Sequence, residues 1–173
     1  MRKPWPVAVS FALSIIVFMS PASAETITLA ESIPFSEFSG ATDKVKNECK
    51  FQTRLPAYVK SAAKRKVDVV LSQDSLDDVD GKILVLEITN VYAPGGGGYS
   101  GSKNATVSGE LKENGEVIGS FTARRRTLIG MMPGTCSMLK RVSKKLGEDI
   151  AGWLRAPTME ATLGDLEDED EED

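Results

Sequence analysis

The chain contains no histidine in its 173 residues. Histidine is the usual general base, proton shuttle and zinc ligand of proteins, so its absence excludes a Ser-His-Asp or Cys-His catalytic site and a histidine-rich zinc site. Aromatic residues are few, at 6% of the chain, and no basic segment is interleaved with them. That interleaving is typical of nucleic-acid binding. We therefore expect no nucleic-acid partner, no metal and no cofactor.

Long hydrophobic runs are also scarce, and the clearest one lies at the N-terminus, from Val7 to Met19. Arg2 and Lys3 precede it, and the small residues Ala22-Ser23-Ala24 follow it. This pattern is typical of a secretory signal peptide, and the run is shorter than the about 20 residues that a membrane-spanning helix needs. We predict cleavage after Ala24, a periplasmic or secreted location, and a mature chain without a transmembrane segment. The alternative is an uncleaved N-terminal anchor.

The rest of the chain divides into one domain and a short tail. Residues 25–164 have the length of an ordinary single domain with its own core. Residues 165–173 carry eight carboxylates, interrupted only by Leu166, and they account for the negative net charge of −4. A segment of this composition cannot bury apolar surface, so we expect a disordered acidic tail.

The two cysteines, Cys49 and Cys136, are the only ones in the chain. An even count in an exported protein favours a disulfide, because thiols oxidise outside the cytosol. The alternative, a redox or nucleophilic thiol, would need a CxxC motif or a neighbouring base. We predict a structural Cys49–Cys136 disulfide.

Apolar periodicity predicts a helix, several strands and a second helix. The first helix spans residues 44–63, with Asp43 as its N-cap and with Pro56 kinking or dividing it. The second, capped by Thr135 or Ser137, runs to about residue 154. A short strand opens the domain at residues 25–29. The clearer strands are residues 67–71, 82–92, 105–111 and 117–127, the last two joined by an Asn114-Gly115 hairpin turn. We predict an α+β, two-layer fold: an antiparallel sheet of about four strands, two helices packed on one face, and one disulfide.

Two segments are candidate binding elements. The glycine-rich stretch Gly95–Gly101 contains Tyr99, but it leads into a strand, whereas a phosphate-binding loop leads into a helix. We expect a flexible connection there, or a loop that uses Tyr99 as a contact. Arg124 and Arg126 share one face of the last predicted strand and, with Lys103 or Lys112, form a candidate anion site. The alternative is edge protection, with the arginines paired to carboxylates of the hairpin: Glu110, Glu113 or Glu116.

Four segments carry a resemblance to a known family: Val107–Leu111, Phe121–Arg125, Gly134–Ser137 and Leu146–Leu154. They resemble an uncharacterised family of small exported proteobacterial proteins, a domain of unknown function. The layout is similar to the α/β domains of envelope lipoproteins and assembly factors. The resemblance covers roughly residues 45–164 and implies no activity and no catalytic residues. The chain departs from the lipoprotein layout because it lacks a cysteine to be acylated at the cleavage site.

Export and the lack of an assembled catalytic motif together favour a non-catalytic protein that binds another cell-envelope component, either a protein or a lipid or glycan. One alternative is a hydrolase of envelope polymers that uses carboxylates and needs neither histidine nor metal. Another is a binder of small ligands between the helices and the sheet, which would require an apolar cavity there.

Overall fold

The computed structural model describes residues 26–64, 67–76, 79–127 and 134–167. The predicted signal peptide lies outside these ranges. So do the last six residues of the acidic segment, which is the predicted tail of residues 165–173. Along the chain, the elements are β1 (Thr26–Ala30), α1 (Phe51–Ala63), β2 (Asp68–Ser72), β3 (Lys82–Tyr92), β4 (Asn104–Glu113), β5 (Glu116–Arg126), α2 (Thr135–Trp153) and β6 (Ala161–Gly164).

The strands form one six-stranded mixed sheet in the order β2-β1-β3-β4-β5-β6. The pairs β3–β4 and β4–β5 are antiparallel, whereas β1–β2, β1–β3 and β5–β6 are parallel. The predicted antiparallel pairing is present between β3, β4 and β5, but about four strands is less exact than the six observed, and the parallel pairs were not predicted. Adjacent parallel strands need a long crossover, and here α1 connects β1 to β2 and α2 connects β5 to β6.

The centre of the sheet follows local sequence closely. The apolar run of β3 begins and ends as expected, at Lys82 and Tyr92. Asn114 and Gly115 both have positive φ, at 52° and 87°, as the tight turn between β4 and β5 requires. Along β4 the buried residues alternate with more exposed ones, so one face of the sheet is dry. The β4–β5 hairpin is confirmed.

The first helix begins later than predicted. A π-helical turn, Val45–Cys49, comes first and ends at Lys50, whose φ of +50° separates it from α1. The Thr42 hydroxyl, not Asp43, accepts the N–H of Val45 at 3.4 Å. Pro56 lies inside α1 and does not divide it. Proline cannot donate to the carbonyl four residues earlier, and that carbonyl, of Gln52, accepts the N–H of Ile33 instead at 3.2 Å.

Both helices lie on the dry face, where they share one apolar core with the strands. Leu55 and Val59 of α1 and Leu146 and Ile150 of α2 are each 0% exposed. The helices cross closely at Gly147, where a Cβ would lie 2.7 Å from the Cβ of Tyr58. The two-layer arrangement with both helices against one sheet face is confirmed.

The Cys49–Cys136 disulfide is present and joins the π-helical turn to the first turn of α2, with its Cα atoms 4.8 Å apart. It closes a sequence separation of 87 residues. In the chain-entropy model such a loop contributes about 4–5 kcal/mol, largely by restricting the unfolded chain. Within the described ranges, no helix combines the length and apolarity needed to cross a bilayer.

Candidate binding surface

The glycine-rich loop is held by its own hydrogen bonds. Its centre, Gly97–Ser100, is a 3-10 turn. The Gly97 N–H donates to the Thr135 hydroxyl at 3.2 Å, and that hydroxyl also lies 3.3 Å from the Pro94 carbonyl. Thr135 therefore ties the loop to the start of α2, whereas neither it nor Ser137 makes a side-chain cap bond at the helix N-terminus.

Lys103 anchors the other side of the loop. The side chain is fully buried, and its ammonium donates to the Ser100 hydroxyl and to the Gly101 carbonyl, both at 2.9 Å. Burial lowers the pKa of this ammonium, since desolvation penalises the charged form. The sequence offers Lys103 as a candidate member of an anion site. Its ammonium instead points into the loop and stabilises the conformation that carries Tyr99.

Tyr99 is presented at the surface, with 82% of the residue exposed. Tyr92 is 57% exposed, and it lies opposite Asn104, which in turn lies opposite Arg126. Phe38, 86% exposed, precedes Ser39, whose carbonyl accepts the N–H of Val91. We call this part of the molecule the loop end, defined by the residues Phe38, Tyr92, Tyr99, Asn104 and Arg126.

The three consecutive arginines of β5 have different environments. Arg125 faces the helices and forms a bidentate pair with Asp149 of α2, with nitrogen–oxygen distances of 2.7 and 2.8 Å. Its third contact is Asp165, at 3.0 Å. The hydrogen bonds that Arg125 donates to Asp149 raise the pKa of Arg125 above its ordinary value, although burial opposes them. Of the carboxylates expected for the arginines, Glu110 bonds Lys112 and Glu113 lies near Lys82.

Arg124 and Arg126 alternate with Arg125 and lie on the opposite face of the sheet, as predicted. This open face carries no helix among the described residues. Arg124 lies in a row with Thr106 and Asn90, next to the row of Arg126. A shallow depression of about 420 Å³ is lined there by Thr89, Asn90, Asn104, Thr106, Thr122, Arg124 and Leu166. We call it the basic depression.

A second depression of about 480 Å³ adjoins the first at Thr122. Its lining mixes apolar residues with serine and threonine, and it contains three carboxylates, those of Glu87, Glu110 and Glu160. We call it the acidic depression. The open face therefore carries opposite charges in these two depressions.

The carboxylate hydrolase considered from the sequence would need a desolvated acid. In the described part of the chain, histidine, cysteine and carboxylate side chains form no group of three or more that could hold a metal ion. The acidic depression is shallow and open, whereas a general acid with a raised pKa needs desolvation. The layer between helices and sheet, where a small ligand was considered, is filled by core side chains such as Phe121 and Trp153, whose rings meet edge to face.

The sequence predicts Tyr99, Arg124 and Arg126 at the surface. It does not identify Tyr92 as part of the loop end, or Asp149 and Asp165 as the partners of Arg125. The exposure of Tyr92 could have been predicted, because side chains alternate between the two faces of a strand and Tyr92 follows a buried position. Asp149 and Asp165 have no such signal, since they lie far from Arg125 in sequence and meet it only through the β5–α2–β6 crossover. Asp165 belongs to the segment that was expected to be disordered, yet its side chain is only 17% exposed.

No family model matches the chain, and no curated protein matches it. Among solved structures, it is similar to protein XCC0632 from Xanthomonas campestris, of family DUF330, with 10% identity and a TM-score of 0.50 over 82% of this chain and 91% of that chain. This likeness concerns the fold alone. It agrees with the expected resemblance to a domain of unknown function at that coarser level.

Two further structures are similar at lower scores. The PelC dodecamer from Paraburkholderia phytofirmans shares 15% identity and a TM-score of 0.46, over 72% of this chain and 87% of that chain. A minor lipoprotein from Acinetobacter baumannii shares 14% identity and a TM-score of 0.39, over 79% of this chain and 94% of that chain. Scores in this range carry no argument about function.

Proposed function

We propose that this is a non-catalytic exported protein that binds another cell-envelope component through the loop end. The observation that carries the proposal is the exposure of Tyr99 on a loop fixed by Lys103 and Thr135. An aromatic side chain on a preorganised support loses little conformational entropy on binding, and such residues are frequent anchors of interfaces.

The other exposed residues of the loop end indicate the chemistry of the partner. Tyr92 and Phe38 add apolar surface, and Arg126 adds a cation in the row of Tyr92 and Asn104. Aromatic and arginine side chains together are enriched in protein interfaces. We therefore expect a partner with both apolar and anionic groups, either a protein or an envelope lipid or glycan. Export itself is supported by the signal-peptide pattern and is compatible with the disulfide.

Site-specific photo-crosslinking in the native cells tests the proposal. A benzoylphenylalanine replaces Tyr99 in one variant and Met159 in the control, because Met159 is also exposed (56%) but lies near the hairpin end of β5. We expect discrete cross-linked species from position 99 that are absent from position 159 and weaker when Arg126→Gln is added. Mass spectrometry of these species distinguishes a protein from a lipid or glycan. Identical patterns from the two positions would contradict the proposal.

A further inference from the structure

The acidic segment begins at the basic part of the open face. At the last residue of β6, Gly164 adopts a φ of +76°, and a Cβ at this position would lie 2.5 Å from the Arg124 carbonyl oxygen. The next residue, Asp165, donates its N–H to that same carbonyl at 2.8 Å. The chain thus turns around the outer edge of β5 at Arg124.

Two residues then direct the chain toward the open face. The Asp165 carboxylate accepts the backbone N–H of Arg126 at 2.7 Å, and it also bonds Arg125 at 3.0 Å. Leu166 lines the basic depression together with Arg124 and Thr106. Asp165 is therefore fixed at the strand edge, and the residue after it lies on the face that carries Arg124 and Arg126.

Charge and length fit the same surface. Beyond Leu166 the sequence contains seven consecutive carboxylates, from Glu167 to Asp173. Neighbouring strands are about 4.8 Å apart. Seven residues span roughly 10 Å as a helix and roughly 20 Å when extended, so either length reaches from the edge of β5 to β4. Charges within about 8–10 Å of one another interact at physiological ionic strength. Arg124 and Arg126 are therefore within the range of this segment.

We propose that the acidic segment, residues 165–173, docks over the basic depression and that an anionic partner must displace it to bind there. The identity of the competing partner rests on the proposed function, whereas the docking of the segment does not. The segment acts as an internal competitor, because tethering gives it an effective concentration in the millimolar range. Partners with several negative charges are favoured over partners with a single one.

A labelled peptide with the sequence of residues 165–173 tests the proposal in fluorescence anisotropy. Three proteins are compared: the full chain, a chain that ends at Leu166, and a full-length chain in which the acidic residues 167–173 are replaced by their amides. Ending the chain at Leu166 keeps Asp165 and its bonds. We expect both modified chains to bind the peptide about tenfold more tightly than the full chain does, with affinity falling as salt rises.

Matched substitutions locate the binding. In the chain that ends at Leu166, Arg124→Gln should weaken peptide binding, whereas Lys144→Gln should leave it unchanged, because Lys144 lies on the outer side of α2 with its side chain 63% exposed. The amide NMR signals of Thr106 and Thr122 should shift on titration. Equal binding by full and modified chains, or equal effects of the two substitutions, would overturn the proposal. Cross-linking from position 99 is independent of the peptide result, so failure of one proposal is distinguishable from failure of the other.

Discussion

On β4, Ala105, Val107 and Leu111 face the helices and are at most 1% exposed, whereas Thr106, Ser108 and Glu110 between them face the open side. The same alternation therefore produces two surfaces with different tasks. On the covered face the shape of each side chain matters, because it packs against other side chains in the core. On β4 the residues of the open face are polar, because they remain in contact with water or with a partner.

Arg125 and Arg126, which are adjacent in β5, differ in environment in the same way. Arg125 faces the helices and completes a network of two carboxylates, while Arg126 faces outward with 59% of its side chain exposed. A charged residue on the covered face thus serves the fold, whereas its neighbour on the open face is mostly exposed, with its Nε 3.9 Å from the Asp165 carboxylate. The two faces predict opposite outcomes for substitutions one residue apart.

The largest expected difference in stability is between valine substitutions at Gly109 and at Ser108. A Cβ at Gly109 would lie 2.4 Å from the ring of Phe121 and 2.8 Å from Leu86. Gly109→Val should therefore lower the free energy of unfolding by about 3 kcal/mol, since overpacking displaces core side chains. Ser108→Val, on the open face of the same strand, should change it by less than about 0.5 kcal/mol. Urea denaturation of the two variants measures both effects.

Equal destabilisation by the two valines would contradict the assignment of the faces. A retained stability in Gly109→Val would mean that Phe121 can move away from β4. Phe121 also meets the Trp153 ring, with centroids 4.7 Å apart, so we expect a change in tryptophan fluorescence in this variant and not in Ser108→Val.

Local signals explain which parts of the fold could be predicted. The apolar run of β3, the Asn114-Gly115 turn and the apolar stripe of α2 act within a few residues, and all three elements formed as expected. β6 has only four residues and no alternating pattern, and its conformation depends on parallel pairing with β5. The position of β1 between β2 and β3 is likewise a property of the tertiary structure that no local pattern carries.

The undivided first helix and the buried lysine have a common reason. Pro56 is tolerated because Ile33, which lies before the helix in sequence, donates to the carbonyl that proline leaves without a donor. Lys103 is buried because the glycine-rich loop folds back to offer it two acceptors. In both cases a distant or irregular backbone group satisfies the residue, and composition gives no information about such groups. Tyr99 could be nominated from sequence, but the rigidity of its loop could not.

An intermediate difference in stability is expected between substitutions of Arg125 and of Arg126. Arg125→Met removes the bidentate bonds to Asp149 and leaves Asp149 and Asp165, 16% and 17% exposed, without this counter-charge. Hydrogen bonds between charged groups contribute about 1.5–3 kcal/mol, so we expect a loss of about 2 kcal/mol in the free energy of unfolding. Arg126→Gln should cost less than about 0.5 kcal/mol, because exposed ion pairs contribute little.

Partner binding should show the reverse order. Arg126→Gln should weaken cross-linking from position 99 at unchanged stability, while Arg125→Met should affect it only through folding. Thermal unfolding and cross-linking yield, measured on both variants, separate the two roles. A loss of stability in Arg126→Gln as large as that in Arg125→Met would remove the distinction between the faces at this end of β5.

The smallest expected effect concerns Lys103, whose pKa is lowered by burial. Between its lowered native pKa and the ordinary value of 10.5 in the unfolded chain, the unfolded state binds more protons. Stability therefore rises with pH across this window. Lys103→Met has no such group, so its stability relative to the wild type should fall as the pH approaches 10.5. Lys144→Met, which removes an exposed lysine, should show no such trend. Urea denaturation across the alkaline range measures the slopes, and parallel slopes for wild type and Lys103→Met would show that the Lys103 ammonium is solvated in the native loop.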